Sequence, residues 1–295
     1  MKTKLILSTI VASALALSAS ASTQIQDMNN AKKSAIVKEQ KNAVAAQKEL
    51  IQEALDSLDF THKALVDLSS NKPKSAKVNI QKALGKLEAI LSAEKAPKLL
   101  PIKNSIKVIE YVGDKQSIEV KVDEVKELIK HNKLQEARVL LNTLQSEIDV
   151  TVISLPLASY PSALRLASKY IYANKIEEAK KVLELALSTF DTTTEVIPIP
   201  LVKAINLSHV ASMLAKKGEK QKAITYLESA KDELAIAESL GYLSSSDETY
   251  KSLNDAIDAI EKEIKGKNKA EKLFDELKTK LTDFKNKIFS SNENK

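Results

Sequence analysis

The sequence contains no cysteine and no tryptophan. Without thiols there are no disulfide staples, no thiol redox chemistry and no thiolate nucleophile. Glycine (5) and proline (7) are scarce for a chain of 295 residues, so little punctuates it. Aromatics reach only 4%, and of the 45 basic residues only Arg138 and Arg165 are arginine. Nucleic-acid binders cluster Arg and Lys with stacking aromatics, and that class is set aside. No P-loop, no G-x-S-x-G elbow and no Gly-rich phosphate cradle occurs. The histidines His62, His131 and His209 are far apart, with no second ligand at metal spacing. No catalytic residue, cofactor or metal site is therefore assigned, and the chain is read as no enzyme.

What is present is helix-forming material, chiefly Ala, Leu, Lys and Glu. Lys2 and Lys4, the apolar run Leu5 to Leu17 and the small-residue site Ala19-Ser20-Ala21 read as a secretory signal peptide over residues 1–21. Cleavage would leave Ser22 first and 43 basic residues against 39 acidic. Those charges interleave at helical spacing, as in Lys180-Lys181-x-x-Glu184, the pattern of a solvated face. No later run is long and apolar enough to serve as a membrane anchor.

One element is written repeatedly. Asn71-Lys72 precedes Ala76, Asn132-Lys133 precedes Ala137, and Asn174-Lys175 precedes Ala179. A fourth copy has Gly218 and Ala223. Asn and Gly enter the left-handed conformation that stops a helix, so each copy reads as helix, tight turn, helix. Apolar residues flank every turn at matched offsets: Leu68, Ile129, Ile171 and Ala215 three before it, and Ile80, Leu141, Leu183 and Leu227 four after the Ala. Ala83, Leu144, Ala186 and Ala230 follow at seven, and Leu87, Ile148, Phe190 and Leu234 at eleven, all on one helical face.

The expected fold is mainly α: four hairpins stacked like tetratricopeptide units over residues 22–242, with a helical segment over 243–295. A long helix from Ala31 to about Leu68 leads into the first hairpin. The alternation in Ile106, Val108 and Ile118, Val120, Val122, across Gly113-Asp114, predicts a β-hairpin insert near 105–122. The junctions Glu147 to Leu157 and Glu195 to Leu201 mix β-branched residues with Pro and read as extended segments packed on the helices. Ser245 with Glu248 suggests a capping box, and two stripes, Tyr250 to Ile264 and Phe274 to Ile288, predict a C-terminal helical pair. His131, just before a turn, is expected against helix-end carbonyls. Because loops on rigid scaffolds often bind, Pro156, Tyr160, Pro161, Pro198, Pro200, Leu201 and Tyr242 are the candidate partner-binding residues.

Those junctions carry a resemblance. In order they read Leu155-Pro156-Leu157-x-x-Tyr160-Pro161-x-Ala163, Asn174-Lys175-x-x-Glu178-Ala179, Val196-Ile197-Pro198-Ile199-Pro200-Leu201 and Ala230-x-x-x-Leu234-x-x-Ala237-x-x-Leu240-Gly241-Tyr242. From Leu50 to Tyr242 the chain resembles the YfdX family of exported bacterial proteins. The resemblance implies a mostly helical periplasmic protein, linked to envelope and acid stress, self-associating and chaperone-like, without established catalytic residues. The expected function is that of a stress-related interaction protein binding unfolded envelope proteins. The alternative is a receptor for a small ligand or peptide, using a pocket between the Pro-rich junctions. Neither nucleic acid nor a stable membrane anchor is expected as a partner.

Overall fold

The computed structural model describes residues 19–45, 51–93, 96–244, 248–265 and 270–291. Most of the expected signal peptide, Ser245 of the expected capping box and the Gly266–Asn268 break lie outside these residues. The order is α1 (Ala19–Ala45), α2 (Gln52–Ser69), α3 (Pro73–Leu91), β1 (Leu99–Ile109), α4 (Lys115–Lys130), α5 (Leu134–Leu141), β2 (Glu147–Pro156), α6 (Tyr160–Tyr172), α7 (Ile176–Ser188), β3 (Asp191–Pro198), α8 (Ile199–Lys216), α9 (Lys220–Ser239), α10 (Glu248–Lys265) and α11 (Glu271–Ser291). Among the described residues no helix is long and apolar enough to cross a membrane.

The four turns are where the repeat puts them. Asn71, Asn132 and Asn174 each have φ of 56°, and Gly218 has φ of 82°. At each, two amides reach back into the preceding helix. Lys72 N–H donates to Asp67 O at 2.8 Å and Asn71 N–H to Leu68 O at 3.1 Å. Lys133, Lys175 and Glu219 repeat the longer-range bond to Leu128, Tyr170 and Leu214. This is a Schellman stop, which satisfies carbonyls that the helix end would orphan. The next helix then starts at once, so hairpins α2–α3, α4–α5, α6–α7 and α8–α9 are tight. His131 Nδ1 lies 2.8 Å from Glu127 O at one such end.

The strands are the connections between hairpins. They form one antiparallel sheet in the order β1-β2-β3. Alternation along β2 sends Ile148 and Val150 to a face packed by Ala35, Ile36 and Ala43 of α1, with Ile197, Ile199 and Val202. Both junctions are extended as expected up to Pro198, but Ile199, Pro200 and Leu201 already belong to α8. Proline suits a helix's first turn, where its missing N–H costs nothing.

The expected β-hairpin near 105–122 is not formed. Its first arm is β1, but the residues after Gly113 are α4. Asp114 accepts from Ser117 N–H at 2.9 Å, a side-chain N-cap. Ile118 and Val125 then face inward on a helical period, leaving Val120 63% exposed. A period-two and a period-3.6 pattern coexist over a few residues, and the cap decides between them. The expected helix from Ala31 to Leu68 is also two elements. Ile51 is extended and donates its N–H to Pro101 O of β1 at 3.0 Å, so α2 starts there afresh.

Serial tetratricopeptide-like stacking is likewise corrected. The first hairpin packs on the third, α2 against α7 and α3 against α6, skipping the second. The fourth packs on the C-terminal pair, α8 against α11 and α9 against α10. Two cores result. One joins Leu68, Ile80, Leu87, Leu164 and Leu183. The other joins Leu207, Leu227 and Leu234 to Leu253, Ile257, Leu277 and Leu281, so the C-terminal stripes are core. The sheet forces this arrangement by placing the second hairpin off to one side.

Candidate functional site

The sequence-predicted site residues do not converge. Tyr160 is 2% exposed in the first core, and its hydroxyl donates to Thr61 Oγ1 at 2.6 Å. Burial pushes the Tyr160 hydroxyl up to about 12. Pro161 is buried beside it, and Pro156 is half-buried at the end of β2. Pro198, Pro200 and Leu201 are buried in the other half of the molecule. The two junctions are hydrogen-bonded neighbours in one sheet. Tyr242 is half-buried after α9. It donates to Glu147 Oε2 at 2.7 Å and accepts from Ser146 N–H at 3.0 Å, pinning the fourth hairpin to β2.

Around that pin lie carboxylates held against their preference. Burial raises the pKa of Glu147 and the Asp149 charge raises it further, against the lowering effects of Tyr242 and Lys107. Burial raises that of Asp149 also, and its Oδ1 has no hydrogen-bond partner among the described residues.

Nearby, a cleft of about 550 Å³ opens between the loop before α4 and the helices α1, α8 and α9. Pro200 is the one predicted residue that lines it. Lys32 Nζ is 2.9 Å from Glu233 Oε1, and Lys203 Nζ is 2.8 Å from Glu110 Oε1. Gly113 lines it, and a Cβ there would lie 2.5 Å from Ser117 Oγ and 2.6 Å from the Tyr111 ring. Each of these two lysines is already matched by a carboxylate. The cleft is therefore suited to a polar or zwitterionic group and not to a bare anion.

The second hairpin carries a different kind of site. At three before the turn, Leu68 and Ile171 are 2% and 4% exposed, but Ile129 is 47% exposed. At four after the Ala, Ile80, Leu183 and Leu227 are each 0% exposed, but Leu141 is 47% exposed. Leu134, three before Ala137 on the same face of α5, is 59% exposed. The positions that hold a hairpin together, Val125 and Ala137, are buried as in the other copies. Thus the second hairpin is closed internally but lacks the layer that covers the others. The aligned repeats place apolar residues at these positions in every copy, and only the packing shows which copy is left uncovered.

The sequence model of the YfdX protein family matches residues 57–196. The match spans just under half of the chain. A solved crystal structure of Salmonella Typhi YfdX is a structural neighbour with a TM-score of 0.35 and 14% identity, covering 51% of this chain and 93% of that one. No curated protein matches the sequence. The YfdX region runs from within α2 to within β3. It is narrower than the Leu50–Tyr242 span over which the resemblance is read. It contains most of the first hairpin, all of the second and third, and the open face of the second. The cleft straddles its boundary, with Glu110 and Ser146 inside and Lys203 and Glu233 outside.

Proposed function

We propose that this is a periplasmic, non-enzymatic interaction protein that holds partly unfolded envelope proteins during stress. The observation that carries the reading is the open apolar face of the second hairpin. Ile129, Leu134 and Leu141 are positions the fold elsewhere covers with another hairpin, so the face suits an apolar helix of a partner. The family resemblance supplies the periplasmic and stress components, and the N-terminal targeting signal supports export.

Acid is a trigger consistent with the charges. Lys86 and Lys222 hold the Asp56 and Glu219 carboxyls below the usual range. A lowered folded pKa stabilises above the unfolded value, and that stability is lost as pH falls through the folded one. Protonation then leaves the basic residues in excess and loosens surface contacts by self-repulsion. Glu147, Asp149 and Glu261 act in the opposite sense, because burial raises their pKa values and protonation relieves them. Acid therefore weakens the exposed pairs at Asp56 and Glu219 while relieving Glu147 and Asp149 of β2 and Glu261 of α10.

The test is suppression of aggregation of a denatured client by the chain from Ser22 to Lys295, between about pH 7 and about pH 4. Suppression and dye binding to apolar surface are expected to rise together on acidification, with Leu141→Glu weakening suppression. No suppression at any pH would refute the reading. The second reading, a specific receptor, is favoured by the cleft with Lys32 and Lys203. It predicts saturable binding of a zwitterionic peptide that Lys203→Ala weakens and Leu141→Glu leaves unchanged.

A further inference from the structure

We propose that the cavity between α1, α8 and α11 binds a doubly charged phosphoryl group, as carried by inorganic phosphate, a small phosphate monoester or a phosphomonoester lipid headgroup. The site is separate from the open face of the second hairpin and from the cleft beside α4. None of its three helices lies within residues 57–196, so it belongs to the part of the chain outside the family match.

The cavity measures about 210 Å³. Each helix turns one stripe toward it at helical spacing: Lys38 and Asn42 of α1, Val202 and His209 of α8, and Lys278 and Lys285 of α11. Positive charge thus converges from two helices. Among the described residues, Glu39 is the only carboxylate of the lining. It is already engaged, because Lys285 Nζ lies 2.7 Å from its Oε1, and the two side chains are only 17% and 12% exposed. Asn42 Nδ2 also donates to Glu39 Oε2, at 3.4 Å. Among the described residues, Lys38 and Lys278 have no carboxylate at ion-pair distance.

Three lysines against one glutamate leave an excess of two positive charges around the cavity. The cleft beside α4 differs, because there Lys32 and Lys203 each meet a carboxylate. Holding like charges together costs the free protein self-repulsion, and a bound anion removes it. The wall that α8 supplies is apolar, with Val202 buried, which lowers the local dielectric and strengthens the attraction. Two spare charges match a dianion. Lysine ammoniums act as point charges and suit the oxygens of a phosphoryl group, whereas the lining has no arginine to grip a planar carboxylate by two parallel bonds. His209, exposed at the rim, adds a ring N–H donor. Asn206 fixes the walls, since its Nδ2 donates to Ala31 O at 2.8 Å and ties α8 to α1.

Calorimetric titration of inorganic phosphate into the chain from Ser22 to Lys295, at fixed ionic strength, tests the site. Saturable binding of one phosphate per chain is expected, with glycerol phosphate competing and acetate not. Lys38→Gln and Lys278→Gln are each expected to weaken binding about 10-fold or more, since each removes a charge-assisted hydrogen bond. Both side chains are exposed, so the thermal melt without phosphate should stay unchanged. Lys33→Gln removes the same charge from an exposed position of α1 outside the cavity and is expected to leave binding intact. Glu39→Gln removes the one opposing charge and is expected to tighten binding. Flotation with phosphatidylcholine vesicles, with and without phosphatidic acid, separates the sources. Capture only by vesicles carrying phosphatidic acid, lost in Lys38→Gln and Lys278→Gln, assigns a lipid headgroup. Binding of glycerol phosphate without vesicle capture assigns a soluble ester. No saturable binding of either kind would overturn the proposal. So would binding that Lys33→Gln weakens as much as Lys38→Gln does, which marks a general attraction to a basic chain.

Discussion

The same substitution, glycine to alanine, is expected to have opposite signs at two sites. Gly85 lies inside α3, and Gly218 has φ of 82° at the fourth turn. A Cβ at either site meets no atom within 4 Å, so neither packing nor clash contributes. What remains is backbone conformation. In α3, alanine loses less chain entropy than glycine and stabilises by about 0.8–1 kcal/mol. At Gly218 alanine is held in the left-handed region, which costs about 1–2 kcal/mol. The two variants should therefore differ by about 2–3 kcal/mol, or about 4–12 °C in melting temperature for a chain of this size. Urea melts and calorimetry on both variants and the unmodified chain measure it. If both shift the same way, α8 is not stopped by left-handed geometry at this turn. Asn71→Gly, Asn132→Gly and Asn174→Gly provide the complement, each expected to be neutral or stabilising, because φ is 56° at all three.

Other outcomes follow from the packing and the charges. Leu183→Ala is expected to cost about 2–5 kcal/mol, but Leu141→Ala, at the matching repeat position, less than about 1 kcal/mol in the monomer; chemical denaturation of dilute protein separates them. Tyr160→Phe removes the bond to Thr61 while Thr61 keeps its own donation to Ser57 O at 2.8 Å. The expected loss in a urea melt is about 1 kcal/mol. Glu147→Gln keeps an acceptor for Tyr242 and discards a charge that burial disfavours. A raised folded pKa means the ionised form destabilises above that pKa and the penalty fades as pH falls through it. The variant should be more stable than the unmodified chain near neutrality, with the gap closing in the carboxylate range; a gap that widens on acidification would reverse the reasoning.

Local architecture is plain in the sequence and long-range architecture obscure. Helix stops are legible because Asn71, Asn132, Asn174 and Gly218 each answer to one backbone requirement, independent of anything distant. The C-terminal stripes are legible for a similar reason, as a sustained period fixes a face. The partner of each face is not, since Ile80 and Leu141 look alike in sequence and differ only in what the sheet lays over them. The insert is ambiguous where Ile118, Val120 and Val122 fit two periods at once. The candidate site is the least legible. Tyr160 and Leu201 stand out as residues of Pro-rich junctions, and the same properties suit them to core packing. The open face of α5 is composed of ordinary leucines, and no residue type marks it.

The sheet built from inter-hairpin connections also sets an order of events during folding. Pairing β1 with β2 closes a loop holding all of α4–α5, and pairing β2 with β3 closes one holding all of α6–α7. Loop closure becomes favourable only after local contacts have shortened the chain between the strands. The strands thus assemble late and only around finished hairpins. Until then β2, rich in Val and Ile, travels unpaired, and an unpaired strand of that composition is prone to aggregate.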